Sequence, residues 1–414
     1  MKKVRFGGQV SKNVIMLYVM NITQLILPLV TLPYLARVFS LNTYGVVSYT
    51  KNVMIYVNML IEFGYLLSGT KEIVDAKESK DKISMIIGKI TISKLILSIA
   101  GLFVICIMIL SIKMLRAYPL FTFLMVIPQI LSIFLFDYLF RGLEQMQIIT
   151  TRFLIMRGIS TILTFFVVKN DSDMIYIPIL DILGTLVAVV WVKREITKLG
   201  FRINWRVPIS DVFFSLRESF TYFISNIAST AFVAFNTIVV GIVLGSKQVA
   251  FWTMLMSLVV GVQGLYSPIS DGIYPHMIKT KSIRLFRNVL LIFTPLLIIG
   301  CLITFFFAKT IVLIIGGTKY VEMYNLLQEA VPLLFVSFYS ILCGWPLLAP
   351  IGKIKETTAT TILAAIVQVI GVLVMIVTNT ITLPLLIILR VITESIMLFA
   401  RLLLFIKNKA HYIS

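Results

Sequence analysis

Apolar positions along this chain run in long continuous stretches, without the strict alternation of a half-buried strand. A stretch of about 18 residues or more can cross a hydrocarbon layer of about 30 Å as a helix. Such stretches lie at 14–36, 44–67, 83–112, 117–140, 148–168, 174–192, 212–240, 248–275, 286–308, 323–348, 357–378 and 381–406. The alternating segments of an outer-membrane barrel are not seen. Within lipid the backbone can then satisfy its hydrogen bonds only as helices. The pattern predicts an all-α integral membrane protein of about twelve transmembrane helices.

The second stretch departs from this apolar monotony. Tyr44, Ser48, Lys51, Asn58 and Glu62 recur at steps of three, four and seven and share one helix face, while Val53, Met54, Val57, Leu60 and Ile61 cover the others. A lysine at the middle of a spanning helix costs on the order of 3 kcal/mol and must face a partner or a wet cavity. Lys51 is therefore either a contact for an anionic group in a transport pathway or half of an ion pair with another helix. Glu62 is either a proton or ion site or an inner-end residue touching water. Lys94 and Arg157 lie deep in the third and fifth stretches and face the cavity or a partner, whereas Lys89 is close enough to an end to reach water. Asp137 and Arg141, four residues apart, read as an intrahelical pair, structural or part of a gate. Arg390 and Glu394 repeat that spacing, with Arg401 on the same side, and Asp181 has no local partner. Pro28 and Pro33 can bend the first span, which makes them gating candidates.

Composition agrees with the pattern. Hydrophobic residues make up 59% of 414, charged residues 13%, and the mean hydropathy is +1.00, which excludes an ordinary soluble domain. The net charge of +19 would suggest nucleic acid in a soluble protein. Here it is topological, and no nucleic-acid partner is expected. Basic residues crowd the N-terminus and alternate loops: Lys2, Lys3, Arg5 and Lys12, then Lys77, Lys80 and Lys82, then Lys193, Arg194 and Lys198, then Lys279, Lys281 and Arg284. That face is cytoplasmic and holds both termini. The first apolar run is too long for a signal peptide and is kept as a span. Cys106, Cys301 and Cys343 have neither disulfide nor metal spacing. No loop is long enough to form a catalytic domain and no phosphate-binding loop is present, so neither an enzyme nor a nucleotide, metal or other cofactor is expected.

A faint internal repeat organises the spans. Residues 38–45 resemble residues 243–250, an offset of 205, and Pro128 and Pro332 lie 204 apart. A duplicated six-span unit gives two parallel halves related by an axis along the membrane normal. The expected organisation is an N-terminal six-helix lobe at 1–193, a cytoplasmic linker at 194–211 and a C-terminal six-helix lobe at 212–414, pseudo-symmetric around a central cavity. Polar residues of the first, second, seventh and eighth spans face that cavity. With the deep cations they give the candidates Asn21, Gln24, Lys51, Asn58, Lys94, Arg157, Tyr222, Ser225, Asn236 and Gln263. Glu62 and Glu218 are the candidates for ion coupling, and Pro28, Pro33, Asp137 and Arg141 for gating.

Several short motifs carry a resemblance. Pro33-Tyr34-Leu35-Ala36-Arg37-Val38 with Tyr44-Gly45, Phe63-Gly64-Tyr65, Gly69-Thr70-Lys71-Glu72-Ile73, Asp137 with Arg141-Gly142-Leu143-Glu144, and Val243-Leu244-Gly245, Pro268 and Tyr274-Pro275 occur in order over most of the chain. Together they resemble the bacterial polysaccharide transporter family, the O-antigen and capsule repeat-unit flippases of the multidrug/oligosaccharidyl-lipid/polysaccharide (MOP) exporter superfamily. Leu139-Phe140 follows Asp137-Tyr138 where that family often has a tryptophan, and Phe39-Ser40 stands where Leu-Gly is usual.

The resemblance implies a two-lobed, twelve-helix fold in the bacterial cytoplasmic membrane. It implies that an undecaprenyl-pyrophosphate-linked oligosaccharide is moved from the cytoplasmic to the outer leaflet by alternating access, with membrane lipids and the polysaccharide assembly machinery as partners. Transport would be secondary, coupled to the membrane potential, H⁺ or Na⁺. The alternative is a multidrug or cation antiporter of the same superfamily, which should place carboxylates rather than lysines in the middle of its lobes.

On a background lacking the native cysteines, Gln145→Cys should be closed to an impermeant thiol reagent in intact cells and Asn170→Cys open to it. The opposite labelling pattern would invert the topology.

Overall fold

Capping residues and backbone reversals decide where the apolar runs start and break. The computed structural model describes residues 8–77, 79–226 and 232–412, and nearly all of it is helical. The first half gives α1 (Gly8–Val38), α2 (Leu41–Glu62), α3 (Tyr65–Asp75), α4 (Lys80–Ser111), α5 (Lys113–Arg116), α6 (Pro119–Leu131), α7 (Asp137–Gly142), α8 (Met146–Val167), α9 (Tyr176–Lys198) and α10 (Ile209–Asn226). Ser79 starts α4, its hydroxyl accepting from the Lys82 amide at 3.4 Å, and Asp81 in the first turn complements the helix dipole. The second expected span breaks at Phe63 and Gly64, whose φ angles of 42° and 80° reverse the backbone. Glycine is required at that break: a Cβ on Gly64 would stand 2.7 Å from both the Phe223 nitrogen and the Tyr222 Cβ. The fourth span breaks at Phe136, with φ 49°, after a turn of 3₁₀ helix at Ser132–Leu135.

The second half gives α11 (Phe232–Val243), α12 (Ser246–Gly264), α13 (Ser267–Thr280), α14 (Ile283–Phe306), α15 (Ala308–Gly316), α16 (Tyr324–Glu329), α17 (Val331–Cys343), α18 (Trp345–Leu348), α19 (Ile354–Val377) and α20 (Leu383–Lys407). Ser282 caps α14 through the Leu285 amide at 3.3 Å. Thr382 caps α20, whose first turn contains Pro384. The breaks of the first half recur: α2 stops and resumes as α3, and α12 likewise resumes as α13. The proline helices α6 and α17, holding Pro128 and Pro332, each lead into a short helix after a break. Among the described residues, eleven helical segments are long and apolar enough to span a membrane, against about twelve expected. The difference is the expected span 212–240, which is described as α10 and α11 on either side of 227–231.

The chain divides into two compact units, Met1–Tyr34 with Val46–Ala234, and Leu35–Gly45 with Phe235–Ser414. In the first unit Tyr65, Ile73, Ile87, Ile90, Tyr138 and Phe140 form a closed apolar core. α10 belongs to this unit: Ser219 and Ser68 share a hydrogen bond of 2.7 Å, and Phe223 stacks on Phe63 at 4.5 Å. Large apolar side chains cover the outside, among them Phe103, Phe166, Phe306 and Val377, all exposed. Such a surface requires lipid around it.

In the second unit the turn Leu35–Gly45 is docked on residues far along the chain. Gly45 lies directly against the Ser246 carbonyl, leaving no room for a Cβ, and the Ser246 hydroxyl donates to Asn42 Oδ1 at 3.0 Å. The two stretches of the repeat, 38–45 and 243–250, therefore meet. Tyr44 stands edge-on to Tyr320 at 6.0 Å. Lys319 donates to the carbonyls of Arg37 at 3.0 Å and Phe39 at 2.9 Å, and Arg37 donates in turn to the carbonyl of Ile314. Each cation thus satisfies carbonyls at a helix C-terminus, where the dipole favours positive charge.

Gly45→Val should lower the unfolding temperature in detergent by an amount equivalent to about 1–3 kcal/mol, the cost of overpacking. An unchanged melting curve would contradict the docking of this turn.

Candidate functional site

Inside a membrane protein each ionised group needs a partner or water, so the deep charges of the first unit can be sorted by what they touch. Lys94 of α4 is 3% exposed, donates to both carboxylate oxygens of Glu62 at 2.8 Å, and lies 5.5 Å from the centre of the Tyr138 ring. Lys89, one turn and a half before it, bonds Glu72 at 2.6 Å. These cations are neutralised where they stand. The candidates Lys94 and Glu62 are therefore brought together with each other, rather than left facing an open space as a cationic contact and an ion carrier.

The expected Asp137–Arg141 pair is corrected. Asp137 is held by Arg152 of α8, through Nε at 2.7 Å and through Nη2. Asp137 opens α7 directly after the left-handed Phe136, so it belongs to a separate short helix. Its carboxylate is met across the turn by the neighbouring helix. The Nε of Arg141 is buried with no hydrogen-bond partner among the described residues.

Two cations remain accessible. Arg157 of α8 is half exposed, with Nη1 at 3.8 Å from Asp181 of α9, and Asp181 also accepts from the Ser160 hydroxyl. Lys51 of α2 is exposed and makes no hydrogen bond or ion pair among the described residues. The charges that act on it are Asp181 and, with opposite sign, Arg157. Two cations and one carboxylate give a local excess of one positive charge on an accessible face. Asn58, two helical turns along α2 from Lys51, is half-buried. An ammonium and a guanidinium that feel one another's charge, only one of them held by a carboxylate, are donors of the kind suited to phosphate oxygens.

The other candidates are dispersed. Asn21 and Gln24 are exposed on α1, which runs unbroken through Pro28 and Pro33. Thr31 donates to the carbonyls of Leu27 at 3.0 Å and Pro28 at 3.1 Å. Tyr222 is half-buried against Gly64, and Glu218 is exposed on the same helix, α10, with no hydrogen bond or ion pair among the described residues. The Ser225 side chain lies outside the described residues. Gln263 is half-buried on α12.

Asn236 is buried in the second unit, where Gln368 Nε2 donates to its carbonyl at 3.2 Å and the Thr393 hydroxyl donates to Gln368 Oε1 at 3.1 Å. That chain is a closed polar core and leaves Asn236 no free surface. Arg401 is buried too, held by the Ser340 carbonyl at 2.5 Å and the hydroxyls of Thr360 and Thr361, and the Glu394 charge acts on both Arg401 and Arg390. Ser160, Tyr138, Arg152, Gln368 and Thr393 are the participants that sequence reading misses. Each acts on a different helix from its partner, and nothing in local spacing announces such contacts.

Comparison with known proteins follows the same line. Residues 10–281 match the family model described as polysaccharide biosynthesis protein. An Escherichia coli K12 protein named "Putative O-antigen transporter" is 27% identical over 312 residues, 75% of this chain and 74% of that protein. A Shigella dysenteriae protein of the same name is 25% identical over 371 residues, 87% of this chain and 91% of that one. Among solved structures, the lipid II flippase MurJ in an inward closed conformation aligns with TM-score 0.68 and 14% identity, covering 94% of this chain and 86% of that one. An inward-facing multidrug resistance MATE family transporter of the MOP superfamily aligns with TM-score 0.65 and 13% identity, covering 93% and 97%. Both structures share the all-helical fold with this chain.

Lys94→Ala should destabilise the protein by about 3 kcal/mol, because it leaves the Glu62 carboxylate without its partner. The double change Lys94→Leu/Glu62→Leu should recover much of that loss, as read by thermal unfolding in detergent. Equal melting of the wild type and Lys94→Ala would show the pair to be dispensable.

Proposed function

Because the chain belongs to the polysaccharide biosynthesis protein family, we propose that it is a flippase for a lipid-linked oligosaccharide, carrying an undecaprenyl-pyrophosphate-linked repeat unit of an O-antigen, capsule or related glycan from the cytoplasmic to the outer leaflet of the bacterial inner membrane. The observation that supports this reading most is the accessible cationic face of Lys51 and Arg157, with Asp181 as the carboxylate acting on both. In this reading Lys51 and Arg157 hold the pyrophosphate while Asn58 offers hydrogen bonds to the sugar. The polyprenyl tail stays in lipid, where its transfer needs no protein groove.

Lipid-linked pyrophosphate is an anion, so with the cell interior negative its outward movement is favoured by ~2.3 kcal/mol per charge per 100 mV. This driving force requires no nucleotide. Of the two proposed coupling carboxylates, Glu62 is occupied by Lys94, which leaves exposed Glu218 as the carboxylate available to an H⁺ or Na⁺ cycle. The two lobes expected at 1–193 and 212–414 would carry the cycle by alternating access, with α10 moving with the first lobe and Leu35–Gly45 with the second. Export of cationic drugs is the second reading, favoured by the fold shared with the MATE transporter. Its site would need an unmatched acidic centre, and in the first unit the deep carboxylates Glu62 and Asp137 are both neutralised by cations.

In a flippase-deficient strain the wild type should restore surface polysaccharide. Lys51→Ala and Arg157→Ala should each reduce it about tenfold at equal membrane levels, the loss of one charge-assisted phosphate contact. Full restoration by both variants would remove the cationic face from the mechanism. Failure of the wild type in every glycan background, with drug efflux gained instead, would favour the antiporter.

A further inference from the structure

On the flank of the second unit, α14, α17, α18 and α20 leave a groove of about 400 Å³, within the range of small-molecule sites, about 300–1,000 Å³. Its floor is apolar, formed by Phe286 and Leu290 of α14, Leu347 of α18, and Leu398, Leu402 and Phe405 of α20. Tyr339 also lines it, but its hydroxyl is taken by Thr294 at 3.0 Å. At one end stand Arg287 and Lys409, both exposed, and no carboxylate lines the groove. Neither cation has a hydrogen bond or ion pair among the described residues.

The fold holds Lys409 at this place. After α20 the chain turns back, Asn408 Nδ2 donating to the Leu404 carbonyl at 2.7 Å. The Tyr412 hydroxyl donates to the Leu347 carbonyl at 2.5 Å while its ring stands edge-on to Phe405 at 5.3 Å. Both cations lie at helix ends that also carry Lys279, Lys281, Arg284 and Lys407, the depth at which a spanning helix meets lipid headgroups. An apolar groove open to a bilayer takes up hydrocarbon whatever the headgroup, and two unmatched cations at its mouth decide which headgroup stays.

We propose that this groove binds one anionic membrane phospholipid, its acyl chain on the apolar floor and its phosphate between Arg287 and Lys409. Phospholipid is the amphiphile that surrounds the helices in bulk, and the site is independent of what the protein transports. A basic side chain near anionic lipid favours it about fivefold, so two give a preference of about 25-fold over a zwitterionic lipid.

The test uses the purified 414-residue chain in detergent, titrated with phosphatidylglycerol or phosphatidylcholine and followed by native mass spectrometry and thermal unfolding. The wild type should retain phosphatidylglycerol about 25-fold more tightly than phosphatidylcholine and melt higher in its presence. Arg287→Gln/Lys409→Gln should lose that preference while its lipid-free melting stays unchanged, and Leu402→Trp, which fills the groove, should weaken both lipids. Equal phosphatidylglycerol retention by the wild type and the double variant would overturn the proposal. So would displacement of phosphatidylglycerol by a lower concentration of undecaprenyl phosphate that depends on the same two cations, since the occupant would then be an isoprenoid.

Discussion

A charge held within hydrocarbon must be matched by an opposite charge or reached by water, and the first unit is arranged around that requirement. Glu62, Glu72 and Asp137 each bind a cation from another helix, at Lys94, Lys89 and Arg152. These pairs tie α2, α3 and α7 to α4 and α8 in a medium where apolar surface supplies little drive for helices to associate. Because they close on themselves, the charges left over acquire meaning. Lys51 and Arg157 stand out as accessible cations because the neighbouring charges are already matched.

Close backbone approach does the remaining work of association. Gly45 against Ser246 and Gly64 against Tyr222 let helices meet at distances that a side chain would forbid. At the same two places the chain also reverses or begins a helix. At Gly64 the residue that breaks an apolar run is thus also the residue that joins two helices.

Much of the fold was legible in the sequence, because spanning helices announce themselves by length and apolarity alone. Caps such as Ser79, Ser282 and Thr382 stand where the runs begin. The site was legible only as a set of residue types. Lys51, Lys94 and Arg157 look alike in sequence, each a cation in an apolar run. What separates them is a carboxylate 32 residues away for Lys94 and a distant, partial match for Arg157. Asp137 misled for a related reason. Spacing of four does place Asp137 and Arg141 on one helix, α7, but Asp137 is its first residue and its carboxylate is taken by Arg152 of the next helix, which local spacing does not announce. Asn236 read as a polar wall residue because its partners Gln368 and Thr393 come from helices more than a hundred residues later.

The chain passes from one unit to the other after Tyr34, after Gly45 and after Ala234. Neither unit is therefore a contiguous piece of sequence. A cut in the linker 194–211 would leave an N-terminal fragment carrying Leu35–Gly45 without Ser246 and Lys319, and a C-terminal fragment carrying α10 without Ser68 and Phe63. Each fragment would hold the piece that completes the other. Each unit is completed by a segment from the other side of the chain, so that neither half of the sequence can be shed, or traded for the half of a relative, unless that segment moves with it.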